Sequence, residues 1–404
     1  MRMSDPRSNT SDRNQTGASS SVEFPLFIGG PLYRLQQRIR VAQPDRRRLG
    51  LTALYALFVA WVPMVILSAL QGLTIGPTRL ESFLMDFEVN VRFLVTMPVL
   101  LFAESTCGAR LRPIVRQFLD ANLVINEARD RFEDLIQDTV RLSHSGRAEI
   151  TLLGFAYLHT LIAFVYILDF PDSTWRLPVE NGRHVLSLAG GWYFLVAFPL
   201  YSLLLLRWLW RIALWWRLLW KVSRLELQLS PAHRDGAGGL GFLSESLSAF
   251  ALFAFATTAT TAGGTADFIV YEGDTIAQYQ WEIGGLVTFL LLLIAGPLLS
   301  FIPRLNEAKE SAAFRYGALA SRHIQQVDRK WLTGEPAGTD IGLDFRAVAH
   351  MGASVAAVRE MSTTPLFKDD VLKLLLTALL PFAPLLATLV PMDEVLNLLL
   401  KVLV

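Results

Sequence analysis

Three ionisable residues sit inside long, otherwise uncharged runs of this chain: Glu104, His159 and Asp267. In apolar surroundings a carboxylate can coordinate a cation or relay a proton, and an imidazole can shuttle or gate one. Asp267 closes the run Ala-Thr-Thr-Ala-Thr-Thr-Ala-Gly-Gly-Thr-Ala-Asp, residues 256 to 267. On a helix, Thr257, Thr260, Gly264 and Asp267 project within an arc of about 80°. Such a stripe either packs tightly on a neighbouring helix or lines a water-filled path. Arg92 lies at a matching depth and is the available counter-ion for Asp267. Tyr166 and Phe155 share the face of His159, which directs the imidazole into the bundle, as a hydrogen-bonded neutral ring or as a proton relay. Glu104 either binds an ion or reaches the near interface.

The loop Pro231-Ala-His-Arg-Asp-Gly-Ala-Gly-Gly-Leu-Gly-Phe242 is a second candidate. Its glycines free backbone amides ahead of a helix, where anions bind. His233, Arg234 and Asp235, with Gly238, Gly239 and Gly241, form the candidate anion-binding loop. The spacing matches neither a P-loop nor a dinucleotide fingerprint, and a tight turn against a neighbouring helix is the competing reading. A third feature interleaves tryptophans and cations: Arg207, Trp208, Arg211, Trp215, Trp216, Arg217, Trp220 and Lys221, followed by Arg224. The five cations fall within about 140° of helix circumference. Trp rings at headgroup depth and cations facing anionic lipid describe an interfacial anchor, which leaves no aromatic surface for nucleic acid. The lone Cys107 cannot form an internal disulfide and reads as a reduced structural thiol.

The elements carrying these residues follow from composition. Of 404 residues, 52% are hydrophobic and 18% charged, against about 25% charged in an ordinary soluble domain. Mean hydropathy is +0.38. Uncharged blocks of about 20 residues match the hydrocarbon thickness of a bilayer, and runs such as Leu203–Leu206 lack the alternation of a β-barrel strand. The expected fold class is all-α, a polytopic transmembrane bundle of about seven spans: roughly 50–71, 91–108, 150–169, 186–208, 247–269, 283–303 and 371–391. Segments before 49, at 109–149, at 207–245 and at 304–370 hold 9, 7, 6 and 9 basic residues, 31 of the 37. Arg79, Arg176, Arg183 and Lys401 fall on the opposite side. That asymmetry predicts a cytoplasmic N-terminus. No apolar leader precedes the first span, so that span is expected to serve as the targeting signal.

Residues 1–24 have little to bury and read as a disordered tail, and 25–49 as a basic juxtamembrane segment. The bundle runs over 50–391 with cytoplasmic helical insertions at 109–149, 209–245 and 304–370. Residues 392–404 read as an amphipathic C-terminal helix. Helical spacing of apolar residues in 111–142, 305–331 and 341–361 predicts a small helical body packed together below the membrane, with Thr339 and Asp340 capping the last helix. Pro381, Pro384 and Pro391 interrupt the seventh span, which is read as a kinked crossing, with a re-entrant hairpin as the alternative.

Three passages, residues 82–98, Leu225–Phe242 and Pro381-Phe-Ala-Pro-Leu-Leu, resemble a family of uncharacterised polytopic membrane proteins from proteobacteria. The resemblance covers most of the chain from about residue 25 and implies a multi-pass protein of a bacterial inner membrane, with no assigned activity. The family's motif has proline where this chain has Arg234. Two functions stay open on the residues: conduction of an ion or small solute along Glu104, His159, Thr257, Thr260, Asp267 and Arg92, or a membrane scaffold or sensor whose cytoplasmic helices dock a partner. An intramembrane enzyme would need a Ser/His, paired-Asp or HExxH set inside spans, so none is expected. No metal or cofactor is expected either. Expected partners are anionic lipid at the cytoplasmic face, with a second copy of the chain as a further candidate, and no nucleic acid.

Overall fold

A computed structural model describes residues 46–169, 172–180, 183–332 and 341–386. The tails 1–24 and 392–404, most of 25–49, and Thr339 and Asp340 lie outside the described residues. The protein is nearly all-α: the only strands among the described residues are β1 (Val179–Glu180) and β2 (Arg183–His184), an antiparallel hairpin. The helices are α1 (Arg46–Ala60), α2 (Val62–Leu70), α3 (Phe87–Val91), α4 (Met97–Asp120), α5 (Asn126–Ser143), α6 (Gly146–Leu168), α7 (Leu188–Trp192), α8 (Phe198–Val222), α9 (Glu245–Glu272), α10 (Gln280–Ala295), α11 (Ile302–Leu332), α12 (Ile341–Glu360), α13 (Lys368–Leu379) and α14 (Ala383–Leu386).

Five continuous helical stretches are long and apolar enough to cross a membrane: Phe87–Asp120, Gly146–Leu168, Leu188–Val222, Gly241–Glu272 and Ile276–Gln326. Each overlaps one of the expected spans, and four of the five run well past it into charged sequence. Leu54–Leu70 is a shorter apolar helix, bent at Trp61 where Pro63 enters the next helix. After α13 the chain tightens into a 3₁₀ turn at Leu380–Phe382, around Pro381.

Proline sets the shape of two central helices. Pro98 and Pro199 each enter a helix whose preceding turn would have to accept a bond that proline cannot donate. The backbone answers with one wide turn in each case, a π-helical turn at Arg92–Thr96 and another at Tyr193–Ala197. Met97 N–H then reaches Arg92 C=O, and Phe198 N–H reaches Tyr193 C=O. π-turns concentrate at functional positions, and these two face each other: the Arg92 guanidinium donates to Tyr193 Oη at 2.6 Å.

α9 is the centre of the bundle, packed between α3–α4 on one side and α13 on the other. The small residues of the 256–267 run allow this. A Cβ on Gly263 would stand 3.1 Å from the Phe87 carbonyl oxygen, so α9 and α3 meet backbone to backbone. α6 packs chiefly on α8, leaving Phe155, Leu158, Leu161, Ile162, Val165 and Tyr166 exposed. Such a surface suits lipid rather than water.

The helical body differs from expectation. α5 buries Phe132 and Ile136 and packs on α8, while α11 packs with α12; the three segments do not form one bundle. The reason is that α8 continues past the apolar block and offers α5 a buried face of Ile212, Leu218, Leu219 and Val222. Phe118 ties the parts together, 5.6 Å from Phe132 and 5.2 Å from Phe242 between ring centroids.

Candidate functional site

The end of the bundle that carries the β-hairpin holds a cavity of about 620 Å³. Its floor is the N-terminus of the α3–α4 stretch, whose first amides have no intrahelical partner. Two carboxylates converge there. Asp86, the N-cap, accepts Val89 N–H at 2.8 Å. Asp267, arriving from α9, takes Phe87 N–H on Oδ1 and Glu88 N–H on Oδ2, each at 3.0 Å. Helix-dipole charge and orphan amides thus stabilise both carboxylates at one helix end.

Three arginines complete the site. Arg176 donates to Asp86 at 2.5 Å, beside Trp175 Nε1 at 2.9 Å on the same oxygen. Arg92 pairs with Glu88 one helical turn away and stacks on Phe198 and Tyr201. Arg79 bridges Glu272 at 2.7 Å, donates to the Asp267 carbonyl at 3.2 Å and lies 4.9 Å over the Tyr271 ring. Burial works against the charge on Arg176; the carboxylate of Asp86, with Tyr193 and Glu88 behind it, outweighs that cost and holds its pKa above the ordinary arginine value. Nε of Arg92 and Nε of Arg176 are buried with no hydrogen-bond partner, so the network is not closed on itself. Ile162, Ala163 and Phe268 supply apolar wall.

Of the six candidate path residues, Arg92, His159 and Asp267 line this one cavity. The expected Arg92–Asp267 pair does not form, because Glu88 is four residues from Arg92 on its own helix and the amides of Phe87 and Glu88 satisfy Asp267. His159 stands at the cavity edge, its Nδ1 3.0 Å from Ser202 Oγ. Phe155 and Tyr166 are exposed, so they do not mark an inward face. Thr260 lies deeper, 2.9 Å from Thr96 Oγ1, which also donates to the Ala256 carbonyl at 3.1 Å. Thr257 bonds its own helix at the Phe253 carbonyl. Of the two, Thr260 bonds across helices and Thr257 does not.

Glu104 belongs elsewhere. It accepts from Arg211 at 2.6 Å and sits 3.8 Å from Arg207, in a buried triad with the thiol of Cys107 close by. This corrects the interfacial-anchor reading of α8. Arg207, Arg211, Trp208 and Trp215 are buried in protein, where Trp208 stacks 5.5 Å from Phe253 and bonds the Leu100 carbonyl. Only Trp216 and Trp220 of that set are exposed, and Arg217 and Lys221 are half-buried. Of the five cations on that arc, Arg207 and Arg211 meet Glu104, and Arg224 lies over the Trp220 ring.

The opposite end holds a second cavity, about 900 Å³, bounded by α4, α13 and the glycine loop. Gly236, Gly238 and Gly239 adopt φ of 64°, 66° and 94°, which only glycine takes readily. Their turn wraps the amides of Ala237, Gly239 and Gly241 onto the Asp235 carboxylate at 2.9, 3.1 and 2.8 Å. His233 Nδ1 is 2.9 Å from the same group, and Arg234 is exposed. The anion this loop binds is its own. Partial burial would raise the Asp235 pKa, but the three amides and His233 outweigh it and hold it below the usual carboxylate value. A side chain on Gly238 would press Met361 at 3.0 Å, as the tight-turn reading requires.

Asp86, Glu88, Arg79, Arg176, Tyr193 and Tyr271 were not singled out by sequence. One signal was present: Asp86 three residues before Val89 is an N-cap spacing, and Glu88 and Arg92 are four apart. Nothing local connects them to Arg176 or Asp267, some 90 and 180 residues on. No protein-family model, curated protein or solved structure matches the chain.

Proposed function

We propose that the chain is a multi-pass inner-membrane protein with a cytoplasmic N-terminus, a member of the uncharacterised family it resembles, that carries a small solute across the bilayer. Seven crossings follow if Leu54–Leu70 and the α13–α14 segment join the five long helices, and the basic-residue asymmetry then puts the hairpin end outside. One observation supports carriage over an open pore. The two cavities lie at opposite ends of the same helix pair, α3–α4 and α9, with Glu88, Arg92 and Asp267 at one end and Arg110, Glu245 and Ser248 at the other. Between them Phe93, Thr96, Leu100, Trp208, Phe253 and Ala256 are all buried. Two vestibules and a dry plug suit alternating exposure, and the π-turns at Arg92–Thr96 and Tyr193–Ala197 are the places where that pair can flex. Chemistry on the solute is not part of the reading.

Proteoliposomes containing the full chain test it. Counterflow of a charged solute small enough for the cavity, above protein-free vesicles and reduced in Asp267→Asn, is the expected result. Folded protein with no flux of any such solute contradicts it. A scaffold or sensor role is the second reading, favoured by α11, where Phe314, Leu319 and Ile324 are exposed. A partner retained after removal of the vestibule charges, in a protein without flux, would support that role instead.

A further inference from the structure

We infer that the hairpin-end cavity is a site for a small organic cation, an ammonium or guanidinium on an apolar body, and that Arg79 fills its charged subsite in this structure. The inference rests on the solute-handling role proposed for the same cavity and names the class of solute. Charge is the first ground. Five carboxylates line the cavity, those of Asp86, Glu88, Asp172, Asp267 and Glu272, against three guanidiniums. Each guanidinium already has one carboxylate: Arg79 with Glu272, Arg92 with Glu88, Arg176 with Asp86. Asp267 holds only backbone amides on its carboxylate oxygens, and Asp172 adds a second charge with no paired arginine at the cavity. A cavity left two charges negative beside low-dielectric walls attracts a cation and repels an anion.

The second ground is what now occupies the subsite. The Arg79 guanidinium lies 4.9 Å over the Tyr271 ring, bonds Glu272 and takes the Asp267 carbonyl as a further acceptor. Those contacts, an aromatic face with acceptors around its rim, are the recognition set for an organic cation. Arg79 reaches them from the loop after α2, at the rim, with 27% of its side chain exposed, so it can withdraw without unpacking a helix. Tyr271 in turn stacks on Phe87 at 5.5 Å, which fixes the ring. The apolar body would lie toward Ile162, Ala163 and Phe268, which inorganic cations do not need.

Binding to the full chain in lipid nanodiscs, by calorimetry at neutral pH, tests this with phenethylammonium as probe and 2-phenylethanol and 3-phenylpropionate as isosteres. The ammonium should bind at least roughly tenfold more tightly than the alcohol, and the carboxylate should not compete. Arg79→Gln uncovers Tyr271 and makes the cavity more negative; it should tighten ammonium binding by roughly three- to tenfold. Asp267→Asn should weaken it, and Glu272→Gln, away from the helix cap, does the same where Asp267→Asn fails to fold. Binding of the carboxylate as tight as the ammonium, as the partnerless Nε groups of Arg92 and Arg176 would favour, overturns the inference. So does Arg79→Gln binding no better than the parent. Ammonium binding without vesicle flux would remove the transport role and leave the cation site standing; flux of anions without ammonium binding would do the reverse.

Discussion

The two ends of the bundle each hold half-buried carboxylates, and they solve the problem in opposite ways. At the glycine-loop end, Asp235 is satisfied within six residues of itself, by Ala237, Gly239 and Gly241. At the hairpin end, Asp86 and Asp267, the latter carried by α9, are satisfied by groups drawn from α3 and the segment before the hairpin. A self-contained loop keeps its shape if its neighbours move. A site assembled from separate helices changes its charge geometry when any one of them shifts, which the proposed carrier role requires. Between the two lies the Glu104 triad, which fastens α4 to α8.

Breaking that fastening should have the largest effect. Glu104→Leu leaves Arg211 and Arg207 buried without their carboxylate, and a broken buried pair costs about 3–5 kcal/mol. Thermal unfolding in detergent should show a large loss, and Glu104→Leu with Arg211→Leu should recover most of it. No recovery would mean that Glu104 acts outside the pair.

Asp86→Ala comes next. It removes a cap and the acceptor of both Trp175 and Arg176, worth about 2–3 kcal/mol. Loss of hairpin order with an intact core, read by hydrogen exchange, is the expected pattern; uniform destabilisation would weaken the distinction between the two ends.

Asp235→Asn should cost about 1–2 kcal/mol and confine its effect to the loop and α13. The pH dependence has a definite sign. Because the folded pKa is depressed, the contribution of Asp235 is complete above the ordinary aspartate value near 4 and fades as pH falls through the depressed one. Parent and variant unfolding curves should therefore converge at acid pH. A difference that grows on acidification would contradict the amide cradle.

The smallest effect should come from Thr257→Val, within about 0.5 kcal/mol, since its hydroxyl serves only its own helix. A large loss of flux in that variant would restore Thr257 to a conducting path.

What could be read from sequence divides along the same line. Long apolar runs and short-range turn chemistry are local, so the helices and the tight glycine turn were legible, and Arg92, His159 and Asp267 were legible as polar groups in the wrong solvent. Partners were not. Arg92 has Glu88 four residues away, yet depth alone suggested Asp267. The Trp/Arg face of α8 has the composition of an interface, and only the packing of α4 and α5 against it shows that Trp208 and Trp215 are core. Arg79 and Arg176 look like ordinary loop cations, because ion pairs spanning roughly 90 to 190 residues leave no local trace.

The central claim, two vestibules on one helix pair separated by a closed plug, is tested most directly by side-specific labelling. In a Cys107→Ser background, Gly264→Cys, Thr96→Cys and Ser248→Cys would be treated with membrane-impermeant maleimide in right-side-out and inverted vesicles. The account predicts labelling of Gly264→Cys from outside only, of Ser248→Cys from inside only, and of Thr96→Cys from neither. Labelling of Gly264→Cys and Ser248→Cys from the same side, or of Thr96→Cys from both, would contradict it.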